Sequence, residues 1–468
     1  MPRICSQITI TAVLLAVTGF GGGSTRSAET PVAVKKPDWA GLDALLTTGD
    51  YGQAAEVADG IAATVKPKRR DPDYLPRSVE FIRALTRLGV ARLRLGDLDA
   101  ADEAFSEAYR TYKDREFQRL LSLEARHAAA SVTTQILLLE ANAIELLDLR
   151  SMVILHRLQA LNLVGTGAAA STAMVGQPTE DVARWLGELK VLKRIAAEAR
   201  ESFAEQMVRG GPAVLSSPYT RALAGKFRPE MIAGITSREL WGMPIETLES
   251  DAVRESLSPS GKLPEILPGA EVREALLKAS LEHFQAAAAA LEEAVIAVSP
   301  SGSAGLKADA RIEAALLEAE LLANRGAILR LAVDFDRARE DVRKAMELQR
   351  EVSVLRRIQT PDAHPDLFWP LLLDADVGLE NVLRLLADGD TEQAQSVLGE
   401  VSKTLVRASS LSVPEKHPLR GYLADLTSRL DRQRAAVDET LPRSDAADTA
   451  ARRLRRAIDA TALPGIAR

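Results

Sequence analysis

Residues 98–164 contain neither glycine nor proline, and this feature limits the folds open to the chain more than any other. Within this stretch, apolar residues recur at intervals of three and four, as at Ile136, Leu139 and Ala143, which is the spacing of one helix face. Such a periodic stretch predicts very long helices, with a turn near residues 113–115. No alternating strand pattern occurs along the sequence, so we predict an all-α protein.

The composition favours packing of helix on helix. Aromatic residues make up only 4% of the 468 residues while alanine is abundant, so helices can approach closely across small side chains. A hydrophobic content of 46% and a charged content of 26% are typical of soluble globular proteins. The formal net charge of -6 argues against a protein that neutralises nucleic-acid phosphates, so we expect no nucleic-acid partner.

The N-terminus has the pattern of an export signal. Arg3 precedes an apolar run from Ile4 to Phe20, and small residues follow up to Ala28. We predict a signal peptide over residues 1–28 and an extracytoplasmic protein, periplasmic or secreted; an uncleaved segment would instead anchor it to the membrane. Cys5 is the only cysteine and lies in this segment, so the mature chain would form no disulfide and no cysteine-ligated zinc site.

The rest of the sequence divides by pattern into four regions. Residues 36–164 and 271–408 are predicted as an N-terminal and a C-terminal helical repeat region. Between them, residues 165–270 combine one helix, from Thr179 to Gly210, with an irregular insert over 212–269 that is rich in proline and glycine. Residues 409–468 are predicted as a polar, weakly patterned C-terminal tail.

Four segments of the two helical regions share one pattern: a helix, a short turn with an aspartate, and a second helix with alanine four residues after that aspartate. The aspartate and alanine pairs are Asp50 and Ala54, Asp97 and Ala101, Asp334 and Ala338, and Asp390 and Ala394. The pattern predicts helical hairpins whose two helices cross at small residues.

On these residues the chain resembles the tetratricopeptide repeat family. The best unit, residues 82–115, matches through Leu88 and Gly89 in its first helix; its second helix matches through Ala101, Phe105 and Ala108. The third unit keeps Gly326, Ala338 and Ala345, and the fourth keeps Ala394. The resemblance implies an α-solenoid in which Gly89 lets the second helix come close, so that packing offsets the roughly 1 kcal/mol cost of a helical glycine.

The match to the family is incomplete. Leu85, Arg92 and Lys113 stand where the family usually has Trp, Tyr and Pro. Ala54 and Ala101 are 47 positions apart, and Ala338 and Ala394 are 56 apart, against about 34 in uniform arrays. Generic alanine-rich helical hairpins, without relation to the family, are the alternative.

The resemblance also implies a groove lined by the first helix of each hairpin. In the second hairpin this wall would include Arg83, Thr86, Arg87, Val90 and Arg94. Several of these are basic, so an acidic or carboxylate-bearing peptide is the expected ligand. In the insert, Tyr219, Phe227, Trp241 and Met243 either pack between the helical halves or form an exposed binding patch, with Trp241 as a partner contact.

No motif predicts catalysis, a cofactor or a metal site. The five histidines are scattered along the sequence, and the loop residues Asp362, His364 and Asp366, which alternate as cation ligands can, are interpreted as a solvated connector. Gly165, Gly167 and Ala170 lack the strand that a dinucleotide-binding turn requires. The arginines near the C-terminus, Arg452, Arg453, Arg455 and Arg456, are interpreted as a solvated helix end.

These observations lead to the hypothesis of an exported helical-repeat scaffold that mediates protein–protein interaction and is not an enzyme. The alternatives are an envelope structural protein that assembles through its long helices, or an enzyme with its site at the 212–269 insert.

Overall fold

The computed structural model describes residues 37–127, 130–165, 178–210, 217–251, 253 and 269–440. In these residues the protein is all-helical, with sixteen α-helices and no strand. The expected signal peptide at 1–28, Gly167, Ala170 and the C-terminal arginines lie outside the described residues. No helix in these ranges is both long enough and apolar enough to cross a membrane.

The helices fall into two compact units. The first unit comprises Met1–Ile154, Leu189–Pro229 and Ala290–Ala314, and the second comprises Leu155–Glu188, Glu230–Ala289 and Ala315–Arg468. The helices are α1 (Trp39–Thr48), α2 (Tyr51–Val65), α3 (Tyr74–Arg94), α4 (Leu98–Tyr112), α5 (Arg115–His127), α6 (Ala130–Gly165), α7 (Pro178–Gly210), α8 (Pro218–Ala224), α9 (Phe227–Trp241), α10 (Ile245–Leu248), α11 (Gly269–Val298), α12 (Ala308–Leu331), α13 (Phe335–Leu355), α14 (Phe368–Ala387), α15 (Thr391–Ser409) and α16 (Leu419–Thr440).

The glycine-free stretch contains the predicted long helix and the predicted turn. Helix α6 runs for 36 residues. Helix α4 ends at Tyr112 and α5 begins at Arg115, which confirms the turn expected at residues 113–115. Asp114 starts the new helix because its Oδ1 accepts hydrogen bonds from the backbone N–H groups of Glu116 (2.9 Å) and Phe117 (3.3 Å).

The four hairpins identified in the sequence share one turn geometry. In each, the aspartate side chain accepts a hydrogen bond from the backbone N–H three residues later, as an N-cap does. The aspartate N–H in turn bonds to the carbonyl five residues back, which closes the end of the preceding helix. The residue before each aspartate has a left-handed backbone; these residues are Gly49 (φ 83°), Gly96 (φ 75°), Val333 (φ 62°) and Gly389 (φ 83°).

The alanine four residues after each aspartate is fully buried in all four hairpins. It lies one turn into the second helix of its hairpin. A larger side chain at this fully buried position would force the two helices apart, so the position requires a small residue.

Gly89 and Gly326 occupy equivalent positions in two of the hairpins, eight residues before the capping aspartate. A Cβ on Gly89 would overlap the ring of Phe105, and one on Gly326 would lie 2.6 Å from Cγ2 of Val342. Phe105 and Val342 are both buried and lie eight residues after the aspartate. The helical glycine therefore accommodates a large side chain from the second helix.

In the first unit, one core joins α1 to α5 with one face of α6, which contributes Leu139, Leu146 and Val153. In the second unit, a core joins the end of α12 to α13, α14, α15 and α16. Helices α3 and α14 are buried along most of their length, since each has neighbours on several sides.

The structure differs from the sequence prediction at the insert and in the tail. Phe227 to Trp241 form a regular helix, α9, because Pro229 lies in its first turn, where a missing N–H costs nothing. The segment expected as a polar tail contains the 22-residue helix α16, whose Tyr422, Leu426 and Leu430 are buried in the core of the second unit.

Candidate functional site

A cluster of buried charged residues lies in the first unit, where α1 meets α3. The Nε of Arg87 donates to Oδ1 of Asp43 at 2.6 Å, and an Nη of Arg83 lies 3.5 Å from the other oxygen of the same carboxylate. The guanidinium carbons of Arg83 and Arg87 are 4.1 and 5.6 Å from the ring centre of Trp39. Trp39 and Asp43 lie one turn apart on α1, so one short helix covers both arginines.

This arrangement corrects the expected groove along α3. Arg83 and Arg87 are only 3% and 1% exposed, and Thr86 and Val90 are buried as well. The face that was expected to bind a partner is covered by α1, and it forms part of the core. Of the five residues predicted to line the groove, only Arg94, at the C-terminal end of α3, is exposed.

Trp241, the other predicted partner contact, is half-buried at the end of α9 in the second unit. Its ring lies 5.7 Å from the guanidinium carbon of Arg273. Tyr219, Phe227 and Met243 are buried, so these three residues do not form an exposed patch.

The residues predicted to pack the hairpins are all buried. In the first unit these are Gly89, Ala101, Phe105 and Ala108, and in the second they are Gly326, Ala338, Ala345 and Ala394.

Helix α6 adds a stripe of buried polar residues that the sequence analysis missed. Asn142, Glu145, Asp148 and Ser151 follow one another at every third position and are each at most 5% exposed. The available signal was a run of polar residues at every third position of a helix rich in leucine and isoleucine. Arg200 of α7 forms an ion pair with Asp148, and its Nε donates to the carbonyl of Leu223 at 2.9 Å.

Glu145 of this stripe is a buried carboxyl group with a strongly shifted pKa. Burial raises its pKa to about 7, although the hydroxyl of Tyr219 donates a hydrogen bond to its Oε1 and opposes this effect. Burial and the nearby Glu145 raise the pKa of Tyr219 well above its ordinary value. The Glu145 carboxyl is therefore poised to gain or lose a proton near neutral pH.

Several buried side-chain atoms, some beside Asp43 and others in the α6 stripe, have no hydrogen-bond partner among the described residues. They are Nη1 and Nη2 of Arg87, Nε of Arg83, Oδ1 of Asn142 and Oε2 of Glu145. Buried polar atoms are nearly always hydrogen-bonded in folded proteins.

The remaining candidates from the sequence take part in structural contacts. The carboxylate of Asp362 binds Arg350 (2.9 Å) and Arg407 (2.6 Å). His364 is buried, and its Nδ1 accepts a hydrogen bond from the backbone N–H of Asp366 at 3.3 Å. In the part of the chain that the structure describes, no three His, Cys, Asp or Glu side chains are grouped to hold a metal ion.

No family profile and no curated protein matches this sequence.

Proposed function

We propose that this protein is an exported scaffold of tetratricopeptide-like hairpins, arranged as an α-solenoid, that binds a protein or peptide partner and has no catalysis of its own. The observation that supports this most directly is the turn that recurs at Asp50, Asp97, Asp334 and Asp390, with the same cap and the same buried alanine. Repeated hairpins of this kind build surfaces for binding other proteins, and such binding needs no catalytic residue.

In this proposal, Arg94 contributes to the partner site because it is the exposed arginine of α3. A guanidinium group at the end of a helix binds carboxylates through charge-assisted hydrogen bonds, so the proposed partner segment is acidic or ends in a carboxylate. Trp241 is proposed as a separate contact, since tryptophan is enriched among residues that dominate interface energies.

The test begins with capture of partners on the purified chain from an envelope fraction, followed by titration calorimetry with the purified partner. We expect a saturable complex whose affinity falls about tenfold or more in Arg94→Glu, equivalent to about 1.4 kcal/mol. Arg110→Glu is the matched control, because Arg110 is an exposed arginine near the end of the next helix, α4. Trp241→Ala tests the second contact independently.

Two results would refute the proposal. One is that no captured protein binds the purified chain with defined stoichiometry. The other is that the chain alone forms large assemblies whose size depends on concentration, which supports the structural alternative. Equal affinities of Arg94→Glu and Arg110→Glu would remove Arg94 from the site.

A further inference from the structure

An exposed loop between α2 and α3 concentrates positive charge. Residues 66–70 contain only proline and the exposed basic residues Lys66, Lys68, Arg69 and Arg70. This run lies in a chain whose formal net charge is -6. Such a local excess of one charge is typical of a surface that meets a partner of the opposite charge. We call residues 66–70 the basic loop.

Contacts with the turn between α4 and α5 fix the position of the basic loop. Nη2 of Arg69 donates to Oδ2 of Asp114 at 2.5 Å. The hydroxyl of Tyr74, the first residue of α3, donates to the other oxygen of Asp114 at 2.9 Å. The loop therefore lies beside Lys113 and Arg115, the exposed neighbours of Asp114 in the sequence.

Ion pairs neutralise only part of the charge on this surface. The pairs within the described residues are Lys66 with Glu107, Arg69 with Asp114, Arg77 with Asp71, and Arg119 with Glu116. In the described stretches 66–77 and 113–119, one acidic residue, Asp73, lies outside these pairs. The basic residues outside them are Lys68, Arg70, Lys113 and Arg115. The surface is therefore net positive.

The chemistry of the basic loop favours a lipid surface over a protein or a nucleic acid. Lysine is depleted at the centre of protein interfaces, which need aromatic or apolar anchors, and residues 66–70 have no such side chain. They also lack an aromatic ring on which a base could stack. Clusters of roughly four to eight lysines and arginines bind anionic lipid headgroups through long-range attraction, which needs no fitted pocket.

We propose that the basic loop, together with Lys113 and Arg115, binds the surface of a bilayer that contains anionic phospholipid. The side chains of Lys68 and Arg70 donate hydrogen bonds to headgroup phosphates. The contact between Arg69 and Asp114 keeps the loop in position. Because the attraction is electrostatic and peripheral, salt reverses it.

The experiment measures sedimentation of the purified full chain with two kinds of vesicle, of phosphatidylcholine alone and of phosphatidylcholine with about 30% phosphatidylglycerol. We expect a partition coefficient at least about tenfold higher on the anionic vesicles at about 50 mM salt. The difference should disappear at about 500 mM salt, where charges are screened within a few ångströms. Binding through the apolar run from Ile4 to Phe20 would persist on neutral vesicles and in salt, so the two modes are distinguishable.

A double variant tests the loop directly. Lys68→Gln with Arg70→Gln should lower the partition coefficient on anionic vesicles about tenfold or more. Lys403→Gln with Arg434→Gln is the matched control, because it removes the same charge from exposed positions of α15 and α16. The control should bind as the wild-type chain does. Far-ultraviolet circular dichroism checks that both variants fold.

Three results would overturn the proposal. Equal partition onto neutral and anionic vesicles would show that anionic lipid is not recognised. Equal partition coefficients of the two double variants would show that the loop has no particular role. Release of the chain from vesicles by a short DNA duplex at equal phosphate concentration would show that the surface prefers nucleic acid. Only the chain, lipid and DNA are present, so these outcomes are independent of the protein partner proposed for Arg94.

Discussion

Val333 holds a left-handed backbone at the turn between α12 and α13, where the other three hairpins have glycine. A β-branched residue strains this conformation by roughly 1–2 kcal/mol, because its Cβ crowds the following carbonyl. The side chain is 56% exposed, so it gains little from packing. We therefore expect Val333→Gly to raise the free energy of unfolding by about 1 kcal/mol, measured by urea denaturation.

Val354 provides the matched control for this substitution. It is also an exposed valine but lies within α13. Val354→Gly should lower the free energy of unfolding by about 0.5 kcal/mol, because glycine is the poorer helix former. If both glycine variants shift stability in the same direction, strain at Val333 is not the cause.

Glu145 should make the stability of the protein depend on pH in an unusual direction. Its pKa rises from an ordinary 4.5 to about 7 in the folded state. The folded chain therefore holds this proton more tightly, and the stability so gained is present below pH 4.5 and lost as the pH rises through about 7. Glu145→Gln, which can still accept a hydrogen bond from Tyr219, should flatten the fall in melting temperature between about pH 5 and about pH 8.

Glu56 of α2 is exposed and serves as the comparison. Glu56→Gln should keep the wild-type dependence of melting temperature on pH. If Glu145→Gln keeps it too, the buried carboxyl does not titrate in this range.

At the scale of the helices, Gly89 sets how closely α3 and α4 pack. Alanine would gain about 1 kcal/mol of helix propensity, but its Cβ would overlap the ring of Phe105, which is fully buried and cannot move away cheaply. We expect Gly89→Ala to lower the free energy of unfolding by about 1–3 kcal/mol, as overpacking does. Thermal or urea denaturation measures the change.

Gly60 of α2 is the opposite case, since a Cβ there would meet nothing within 4 Å. Gly60→Ala should raise the free energy of unfolding by up to about 1 kcal/mol. A stabilising effect of both substitutions would show that the close crossing at Gly89 is not required.

The helices and their turns could be predicted from sequence because their causes are local. The spacing of apolar residues predicted the long helix α6, and Asp97 with Ala101 marked a cap and a crossing four residues apart. The burial of Arg87 could not be predicted, because its partner Asp43 lies 44 positions away on another helix. Periodicity also missed α16, where apolar residues such as Leu426 are interrupted by many charged ones.

At the scale of the whole molecule, export is a prediction that direct measurement can check. A C-terminally tagged chain expressed in a Gram-negative host should appear outside the cytoplasm, with a mass that corresponds to removal of the N-terminal segment, by cleavage either near Gly23 or after Ala28. Arginine at Leu14 and Leu15 would break the apolar run, so Leu14→Arg with Leu15→Arg should leave an uncleaved cytoplasmic protein. An intact N-terminus together with membrane association would instead identify an anchor.

The shared turn has a consequence for how such a chain can vary in length. Each turn is held by hydrogen bonds between nearby residues, which extend from the carbonyl five residues before the aspartate to the N–H three residues after it. Because these hydrogen bonds are so local, the geometry of the turn does not depend on the length of the two helices that it joins. The helices of a hairpin can therefore lengthen, or further residues can be inserted between hairpins, while the turn geometry stays the same. The intervals of 47 residues between Ala54 and Ala101 and of 56 residues between Ala338 and Ala394 illustrate this variation.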